Sequence, residues 1–351
     1  MATIKEVARR ARVSVGTASN VISGSAPVSA KLRERVEKAI RELDYQPNHV
    51  ARSLKVRQTR MLGMVLSDIT NPFFPQMVRG AEDAALRHNY LLVTFNTDDH
   101  PEREKQILSV LRTRRVDGIL LVMAPSDGDD SHIRKAIAAG TRIACLDRVS
   151  DGLAVDSVCT NNVKGAEMCV RHLISMGHRR IGIITGSPGV QTARDRLKGY
   201  MNSLREAGIP IDEGLIGKGD FRMETGYRAS KDLLLGALRP TAIFASNAMM
   251  GLGVVKATEE LGLRCPEDVA IAMFDDLPFA EALRPHLTAV AQPAYSIGFQ
   301  GAELLIQRIE GKVRQKQPVY IRLEPELRVR ESSIGRVRMD VPAEAAAPVR
   351  C

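Results

Sequence analysis

The sequence predicts a small all-α helix-turn-helix headpiece, followed by an α/β body of two doubly wound parallel-sheet subdomains. Positive charge is concentrated at the start of the chain. Residues 1–60 hold 13 Lys and Arg against 5 Asp and Glu, a net of +8, whereas residues 61–335 hold 34 of each. The hydrophobic pattern changes at the same place, from helical spacing to short apolar runs that recur about every 25 to 30 residues.

Three helices are predicted in the headpiece. Thr3 and Glu6 form a capping box, and Ser14 and Ser29 stand where they can cap a second and a third helix. The apolar residues after each cap recur at three- and four-residue intervals: Ile4, Val7, Ala8 and Ala11, then Ala18, Val21 and Ile22, then Leu32, Val36, Ala39, Ile40 and Leu43. Only residues 12–14 separate the first two helices, which predicts a helix-turn-helix. An unrelated three-helix bundle is the alternative.

A basic helix-turn-helix predicts double-stranded DNA as a partner. The second helix of this motif enters the major groove, so Val15, Gly16 and Asn20 are expected to read bases. Phosphate contacts set the position of such a module. The residues expected at phosphate oxygens are Thr3, Ser14, Thr17, Ser19 and Asn48. The alternative is a basic terminus that is merely solvated.

Alternating strands and helices predict parallel sheets in the body. The apolar runs that read as strands are 61–66, 90–95, 118–123, 142–146, 180–184, 241–245 and 269–274. The helical stretches between them include 104–111, 166–175 and 252–261. Ligands bind at the carboxyl ends of strands in such sheets, so the residues that follow the strands are the candidates for a binding site.

Three sequence runs carry a family resemblance. They are TIKEVA at 3–8, VSVGTASNVI at 13–22 and YQPNHVARSL at 45–54. These runs resemble the headpiece and hinge of the lactose-repressor (LacI) family, and the resemblance continues to about residue 333. It implies a periplasmic-binding-protein-like body with three crossover strands, near Asn161, Ala291 and Gln317.

The resemblance implies these boundaries. The headpiece is 1–46, and a hinge helix with its linker is 47–60. The effector-binding and dimerisation domain is 61–335, with an N-subdomain of about 61–160 plus 292–317 and a C-subdomain of about 162–290 plus 318–335. Residues 336–351, with their run of alanines, are expected to form a disordered tail.

The hinge segment is implied to fold as a helix when two subunits meet on DNA. Leu54 matches the wedging leucine that enters the minor groove, with Ala51 and Arg52 beside it. A helix this short is not stable alone in water, so folding on DNA is the expected behaviour. A plain linker is the alternative.

Two departures from the family pattern matter. The family often has Gly where Arg12 stands, so Arg12 is expected to adopt a left-handed conformation at a cost of about 1 kcal/mol. The family usually has Arg where Asn20 stands. Arginine favours guanine and asparagine favours adenine, so a family operator sequence cannot simply be carried over.

Eight residues near the strand ends are expected to bind an effector. Asn71, Phe73 and Phe74 follow the first strand, and the two rings are expected to cover a sugar face unless they pack on their own core. The others are Asp147, Arg148, Arg196, Asn247 and Asp275. The family often has carboxylates at Asn161 and Ala248. Their loss, with Arg148 and Arg196 retained, predicts a ligand that is a sugar acid or phosphorylated sugar rather than a neutral sugar.

Other classes of protein fit less well. No GxGxxG, GxxxxGK[ST], GxSxG or HExxH motif stands in the required context, so neither an enzyme nor a cofactor or metal site is predicted. A secreted solute-binding protein would need a signal peptide in place of the basic head, and an architectural DNA binder would need no cleft. Five scattered cysteines fit a reducing cytoplasm, and no apolar run is long enough to span a membrane.

The sequence therefore predicts a bacterial, cytoplasmic, ligand-responsive transcriptional regulator of the repressor type, associated with the nucleoid through its operator. Its partners are expected to be a palindromic DNA operator, a small effector (sugar, sugar acid or phosphorylated sugar) and a second copy of itself. The tail lacks leucine heptads, so a homodimer rather than a coiled-coil tetramer is expected.

Overall fold

The computed structural model describes residues 2–23, 26–45, 58–126, 128–313, 315 and 317–335. The chain divides into two compact units, residues 1–59 and residues 60–351. The hinge residues Asn48, Ala51, Arg52 and Leu54 and the tail 336–351 lie outside the described residues, as does Gly24. Among the described residues, no helix combines the length and apolar character needed to cross a bilayer.

The first unit contains the three predicted helices: α1 (Ile4–Ala11), α2 (Val15–Ser23) and α3 (Ala30–Glu42). Both bonds of the capping box are present, since the Thr3 N–H donates to Glu6 Oε2 at 2.7 Å and the Glu6 N–H donates to Thr3 Oγ1 at 3.4 Å. Ser14 caps α2 by accepting from the Thr17 N–H at 3.0 Å. Ser29 is the N-cap residue of α3, as predicted, but its side chain makes no capping hydrogen bond.

The turn between α1 and α2 contains the predicted left-handed residue. Arg12 has φ 54° and ψ 52° and ends α1. Arg35 of α3 donates from Nη2 to the carbonyl oxygens of Ala11 at 2.5 Å and Arg12 at 2.8 Å. These bonds satisfy carbonyls that the end of a helix leaves without partners. These bonds hold the turn against α3, although Arg12 in the turn lacks the conformational freedom of glycine.

The second unit has two six-stranded sheets. The first contains β1 (Met61–Leu66), β2 (Leu91–Asn96), β3 (Gly118–Leu121), β4 (Ile143–Leu146), β5 (Asp156–Thr160) and β11 (Tyr320–Leu323), in the order β11-β5-β4-β3-β1-β2. The second contains β6 (Ile181–Thr185), β7 (Ile216–Lys218), β8 (Ala242–Ala245), β9 (Ala270–Phe274), β10 (Thr288–Ala291) and β12 (Glu326–Arg328), in the order β12-β10-β9-β8-β6-β7. Every pairing is parallel except that of β10 with β12.

Helices cover the faces of both sheets. They are α4 (Phe73–Arg87), α5 (Pro101–Thr113), α6 (Ser131–Ala138), α7 (Asn162–Ser175), α8 (Gln191–Glu206), α9 (Met223–Leu235), α10 (Ala248–Glu260) and α11 (Ala294–Ile309). The first sheet with α4, α5, α6 and α11 forms the first half of the body, and the second sheet with α7 to α10 forms the second half. Glycines bring α4 and α11 very close: a Cβ at Gly298 would overlap the carbonyl oxygen of Met77, and one at Gly80 that of Tyr295.

The chain crosses between the halves three times. The first crossing is at Asn161, between β5 and α7, and the second is at residues 292–293, between β10 and α11. The third crossing is not near Gln317, as the resemblance implied. β11 pairs with β5 in the first sheet, from Tyr320 opposite Ser157 to Leu323 opposite Thr160. The chain therefore crosses at residues 324–325, and residues 318–323 belong to the first half rather than the second.

The third crossing also explains the one antiparallel pairing. The strands of both sheets end at the cleft between the halves, and β11 reaches it at Leu323. Because only two residues separate β11 from β12, the chain enters the second sheet from the cleft side. β12 therefore runs opposite to its neighbour β10.

Candidate functional site

The surface of α2 presents the residues predicted to meet DNA. Val15 is 44% exposed and Gly16 is also exposed, both in the first turn of the helix, and Asn20 is half-buried one turn later. Ser14 Oγ lies 2.9 Å from Thr17 Oγ1. Since one proton joins two hydroxyls, the other hydroxyl proton of this pair is available to a phosphate oxygen.

The other residues predicted to contact phosphate are Thr3, Ser19 and Asn48. Thr3 Oγ1 donates to Glu6 Oε2 at 3.0 Å, so its hydroxyl proton is used in the capping box. Ser19 lies half-buried on α2. Asn48 and the hinge residues stay predictions, because they lie outside the described residues.

In the second unit, six of the eight predicted effector residues are polar and buried. Asn71, Asp147, Arg148, Arg196, Asn247 and Asp275 each expose 9% of their surface or less. Five of them follow β1, β4, β8 or β9 directly or within a few residues, and Arg196 lies on α8. Since the carboxyl ends of the strands in both sheets meet at the cleft, these side chains converge there.

Asp147 and Asp275 occupy equivalent positions in the two sheets. Asp147 follows β4, whose neighbour β5 leads into the first crossing. Asp275 follows β9, whose neighbour β10 leads into the second crossing. Both residues have positive φ, 61° and 68° respectively. The Asp147 N–H donates to the Val158 carbonyl and the Asp275 N–H to the Val290 carbonyl, both at 3.0 Å. This backbone geometry directs two carboxylates into the cleft, one from each half.

The two carboxyl groups are hard to ionise. Burial raises the pKa of Asp147 to about 6, an effect that Arg148 and Arg196 oppose and that Asp275 and Asp99 reinforce. Burial also raises the pKa of Asp275, against the opposing effect of Arg196. Perturbed carboxyl groups in a cleft mark candidate functional sites.

Arg148 is held by the first half and reaches towards the second. Its Nη1 donates to Asp99 Oδ1 at 2.6 Å and to the Met123 carbonyl at 3.4 Å. The guanidinium lies 5.4 Å from the centre of the Phe221 ring, which belongs to the second half. Its Nε, 3.8 Å from Asp147 Oδ2, has no hydrogen-bond partner.

Arg196 has a structural part as well. Its Nε donates to Asn162 Oδ1 at 2.8 Å and its Nη1 donates to the Ser246 carbonyl at 2.6 Å. The guanidinium stacks on the Phe274 ring at 3.8 Å from the ring centre. Burial lowers the pKa of this arginine. The side chain thus ties the first crossing to the ends of β8 and β9.

Asn247 also makes hydrogen bonds within the protein. Its Oδ1 accepts from the Met250 N–H at 2.9 Å and caps α10, while its Nδ2 donates to the Phe221 carbonyl at 2.9 Å. Asn71 Oδ1 accepts from the Phe73 N–H at 3.1 Å at the start of α4. Each amide keeps some capacity for a ligand because an amide NH2 carries two protons.

The adjacent phenylalanines differ from their prediction in one respect. Phe73 and Phe74 begin α4 rather than lying in a loop, and both belong to the apolar cluster under β1. Their rings meet edge to face with centres 5.1 Å apart. Phe74 is 2% exposed and Phe73 is 9% exposed, so Phe73 has the larger surface left for a ligand.

Sequence reasoning missed two residues of this cleft. Phe221 follows β7 with φ 71°, and its ring lies against Gly186 and below Arg148. Gln292 stands at the second crossing, where its Nε2 donates to Asp275 Oδ1 at 2.5 Å. The signal for Phe221 was an aromatic residue after a Gly-Asp pair, but β7 has only three residues and was itself missed.

Several buried polar atoms at the strand ends have no hydrogen-bond partner. They are Ser67 Oγ, Asp147 Oδ1, Arg148 Nε, Thr160 Oγ1, Ser246 Oγ and Gln292 Oε1. An unpaired buried polar group costs about 1–3 kcal/mol. The presence of such a group in a native structure calls for a specific explanation.

The charges next to Asp147 and Asp275 do not favour the sugar acid that the sequence predicted. Asp147, Asp275 and Asp99 accompany Arg148 and Arg196, so carboxylates outnumber guanidinium groups by one. Both arginines are also bound to protein oxygens. The sequence argument counted the carboxylates missing at Asn161 and Ala248 but did not weigh those brought in by the fold.

Comparisons with known proteins match both units. Residues 3–48 match the bacterial regulatory proteins of the lacI family, and residues 170–333 match a periplasmic binding protein-like domain. The ribose operon repressor of Haemophilus influenzae is 36% identical over 334 residues, which are 95% of this chain and 98% of that protein.

Solved structures agree. The lac repressor dimer bound to operator and the anti-inducer ONPF superposes with a TM-score of 0.85 at 28% identity, covering 95% of this chain and 99% of that one. A LacI family transcriptional regulator from Enterococcus faecium with bound ribose gives a TM-score of 0.70 at 30% identity, covering 78% of this chain and 98% of that one.

Proposed function

Because the chain belongs to the LacI family of bacterial regulatory proteins, we propose that the cleft of its body binds the uncharged sugar ring of a pentose, which changes the affinity of the headpiece for its operator. The protein is a ligand-responsive, sequence-specific DNA-binding repressor that acts as a dimer, not an enzyme. The proposal concerns the residues that carry out these steps and the chemical class of the effector.

The observation that carries the proposal is the pair of strand-end carboxylates, Asp147 and Asp275, surrounded by unpartnered buried polar atoms. Carboxylates accept hydrogen bonds from hydroxyl groups and repel anions. Arg148, Arg196 and Asn247 supply donors, and Phe73 and Phe221 supply apolar ring faces. A small polyhydroxylated ring satisfies such a set, whereas a carboxylate placed at Asp147 and Asp275 does not.

Two of the similar proteins are connected with a pentose. One is called a ribose operon repressor, and one solved structure holds ribose. D-ribose is therefore the first compound to test.

For DNA, we propose that Val15, Gly16 and Asn20 read bases and that Ser14, Thr17 and Ser19 contact phosphates. Thr3 contributes through the capping box that begins α1, and Asn48 is proposed at a phosphate. Ala51, Arg52 and Leu54 are proposed to act in the minor groove at the operator centre. Binding to an operator requires access to the chromosome, so we propose a cytoplasmic location with nucleoid association.

Calorimetry with the full chain tests the effector. D-ribose is expected to bind, and D-ribonate, its aldonic acid, is expected to bind at least tenfold more weakly because of the carboxylates in the cleft. Asp275→Asn is expected to remove most of the D-ribose affinity. Asp232→Asn, an exposed change on α9, is the matched control. Tight binding of D-ribonate with none of D-ribose would contradict the proposal.

A further inference from the structure

A second cavity opens beside the cleft. It has a volume of about 470 Å³ and lies between the loops that follow β3 and β4 and the start of α8. We name it the outer chamber and define it by Ser126, Arg134, Arg148, Asp151, Gln191 and Arg194, which line it together with other residues of both halves. Arg148 is the residue that it shares with the cleft.

The arginines of the outer chamber differ in how firmly they are held. Arg134 is bound by both oxygens of Asp130, at 2.6 and 2.9 Å, and by the Gly152 carbonyl. Arg194 pairs with Asp151 at 3.0 Å and donates to the Pro188 carbonyl at 3.1 Å, but the side chains of Arg194 and Asp151 remain exposed, 45% and 87%. An exposed pair of this kind contributes little stability. Arg194 can therefore turn to a ligand at small cost.

Two further features favour an anion. α8 is a sixteen-residue helix that begins at Gln191 in this chamber, and Val190 before it offers no side-chain cap. The first N–H groups of a helix and its dipole attract negative charge. Arg148 supplies an independent observation, because it is 6% exposed, lines the chamber and keeps a buried Nε without a partner.

The outer chamber is thus unlike the cleft. Its lining has three arginines and two aspartates, whereas carboxylates predominate in the cleft. In proteins, phosphoryl oxygens accept hydrogen bonds from guanidinium groups and from the N–H groups at the start of a helix.

We propose that the outer chamber is a phosphate subsite next to the sugar cleft, an inference that rests on the proposed pentose function. The phosphate is either a substituent of the pentose held in the cleft or inorganic phosphate bound beside a neutral pentose. In both cases Arg194 exchanges Asp151 for the phosphate, and Arg148 links the two occupied sites.

Calorimetry at fixed ionic strength tests the proposal with D-ribose, D-ribose 5-phosphate, inorganic phosphate, and D-ribose in saturating inorganic phosphate. The full chain is expected to bind D-ribose 5-phosphate at least fivefold more tightly than D-ribose, or to bind D-ribose at least fivefold more tightly when phosphate is present. The 5-phosphate confines the sugar to the furanose form, so the inorganic-phosphate arm keeps the ring form unchanged. The two arms also distinguish the two sources of phosphate.

Arg194→Gln is expected to remove this gain and to leave the affinity for D-ribose within twofold. Arg205→Gln, an exposed change at the far end of α8, is expected to keep it. No gain from either source of phosphate, or an equal loss in both variants, would overturn the phosphate subsite.

The two proposals can fail separately. If D-ribose binds and phosphate adds nothing, only the phosphate subsite is wrong. If D-ribose does not bind, the pentose proposal is wrong, and the chamber is judged by inorganic phosphate alone: binding that Arg194→Gln loses supports it, and no binding overturns it.

Discussion

Asp147 and Asp275 combine two unfavourable properties at single residues. Both have positive φ, which costs a residue other than glycine about 1 kcal/mol, and both bury a carboxylate. We propose that effector binding accounts for this cost, because the left-handed backbone turns each carboxylate towards the cleft.

Replacing Asp147 by Asn is expected to stabilise the protein at neutral pH. The folded-state pKa of about 6 lies above the ordinary aspartate pKa of 3.8, so the protonated form favours folding. The stability that protonation contributes is full below pH 3.8 and is lost as pH rises through 6. Asp147→Asn should therefore raise the free energy of unfolding by about 1–3 kcal/mol at pH 7.5, with an advantage that shrinks towards pH 4.

Chemical denaturation at both pH values measures this effect, and Asp151→Asn on the exposed rim is the control. Loss of stability in Asp147→Asn at pH 7.5 would show that the carboxylate supports the fold.

The affinity for D-ribose is expected to fall in mild acid. Asp147 faces Asp99, Arg148, Arg196 and Asp275, and a hydroxyl group donates better to its ionised form. Below pH 6 the effector must displace a proton from this carboxyl group, so the Kd should rise by up to about tenfold per pH unit. Titrations between pH 7.5 and 5.5 measure the change, and a constant Kd over this range would exclude Asp147 as the acceptor.

Asn20 is expected to set one position of each operator half-site. An asparagine side chain matches the N6 and N7 edge of adenine, and an arginine matches the O6 and N7 edge of guanine. Asn20→Arg should shift the preference at one base pair per half-site from adenine to guanine. Selection from a random-sequence DNA pool reads this directly, and an unchanged consensus would assign the base contact elsewhere on α2.

At the residue scale, the sequence predicted those conformations that depend on neighbouring residues along the chain. The left-handed Arg12 is confirmed, with φ 54°, because a two-helix turn demands that conformation whatever residue occupies it. The contacts of Phe221 and Gln292 could not be predicted in this way. They depend on the cleft that brings residues 148, 221, 275 and 292 together.

At the scale of elements, the contact of α4 with α11 offers a test of packing. An alanine usually stabilises a helix interior by about 1 kcal/mol relative to glycine. At Gly298 the added Cβ would overlap the Met77 carbonyl, so Gly298→Ala should instead destabilise the protein by about 1–3 kcal/mol. Urea unfolding gives the sign. Gly182→Ala, whose Cβ would meet the side chains of Leu233 and Pro240 at 3.4 Å, is the control.

The strands that the sequence predicted are those with continuous apolar runs, such as β1 and β9, which are buried on both faces. β5 was expected only from the resemblance and not from an apolar run, because it reads Asp-Ser-Val-Cys-Thr and yet is wholly buried between β4 and β11. Its polar residues are tolerated because Asp156 binds Arg308 through both oxygens and accepts from the Val319 N–H. Such tertiary partners leave no periodic signal.

At the scale of the whole molecule, effector and operator must influence each other equally. If D-ribose changes the operator Kd by some factor, saturating operator must change the D-ribose Kd by the same factor, which is typically about 5- to 150-fold. Gel shifts with and without D-ribose, and calorimetry with and without operator, measure the two factors. A scrambled DNA duplex is the control, and unequal factors would show that more than one binding equilibrium is involved.

The course of the chain was predicted less well than its architecture. Two halves joined by three crossings were expected, and two crossings lie where they were placed, but the third is at residues 324–325. β11 and β12 are short, exposed at alternate residues and only two residues apart. Nothing local indicates that such a pair joins different sheets.

These crossings have a consequence for how the protein can diversify. The apolar cluster of the headpiece is formed entirely by residues 4–45, so one recombination event after residue 59 transfers an operator-reading module whole. No single breakpoint between residues 60 and 335 isolates half of the cleft, because the halves are interleaved at three places. Among relatives, operator preference is therefore expected to spread by exchange of gene segments, and effector preference to drift by point changes at the strand ends.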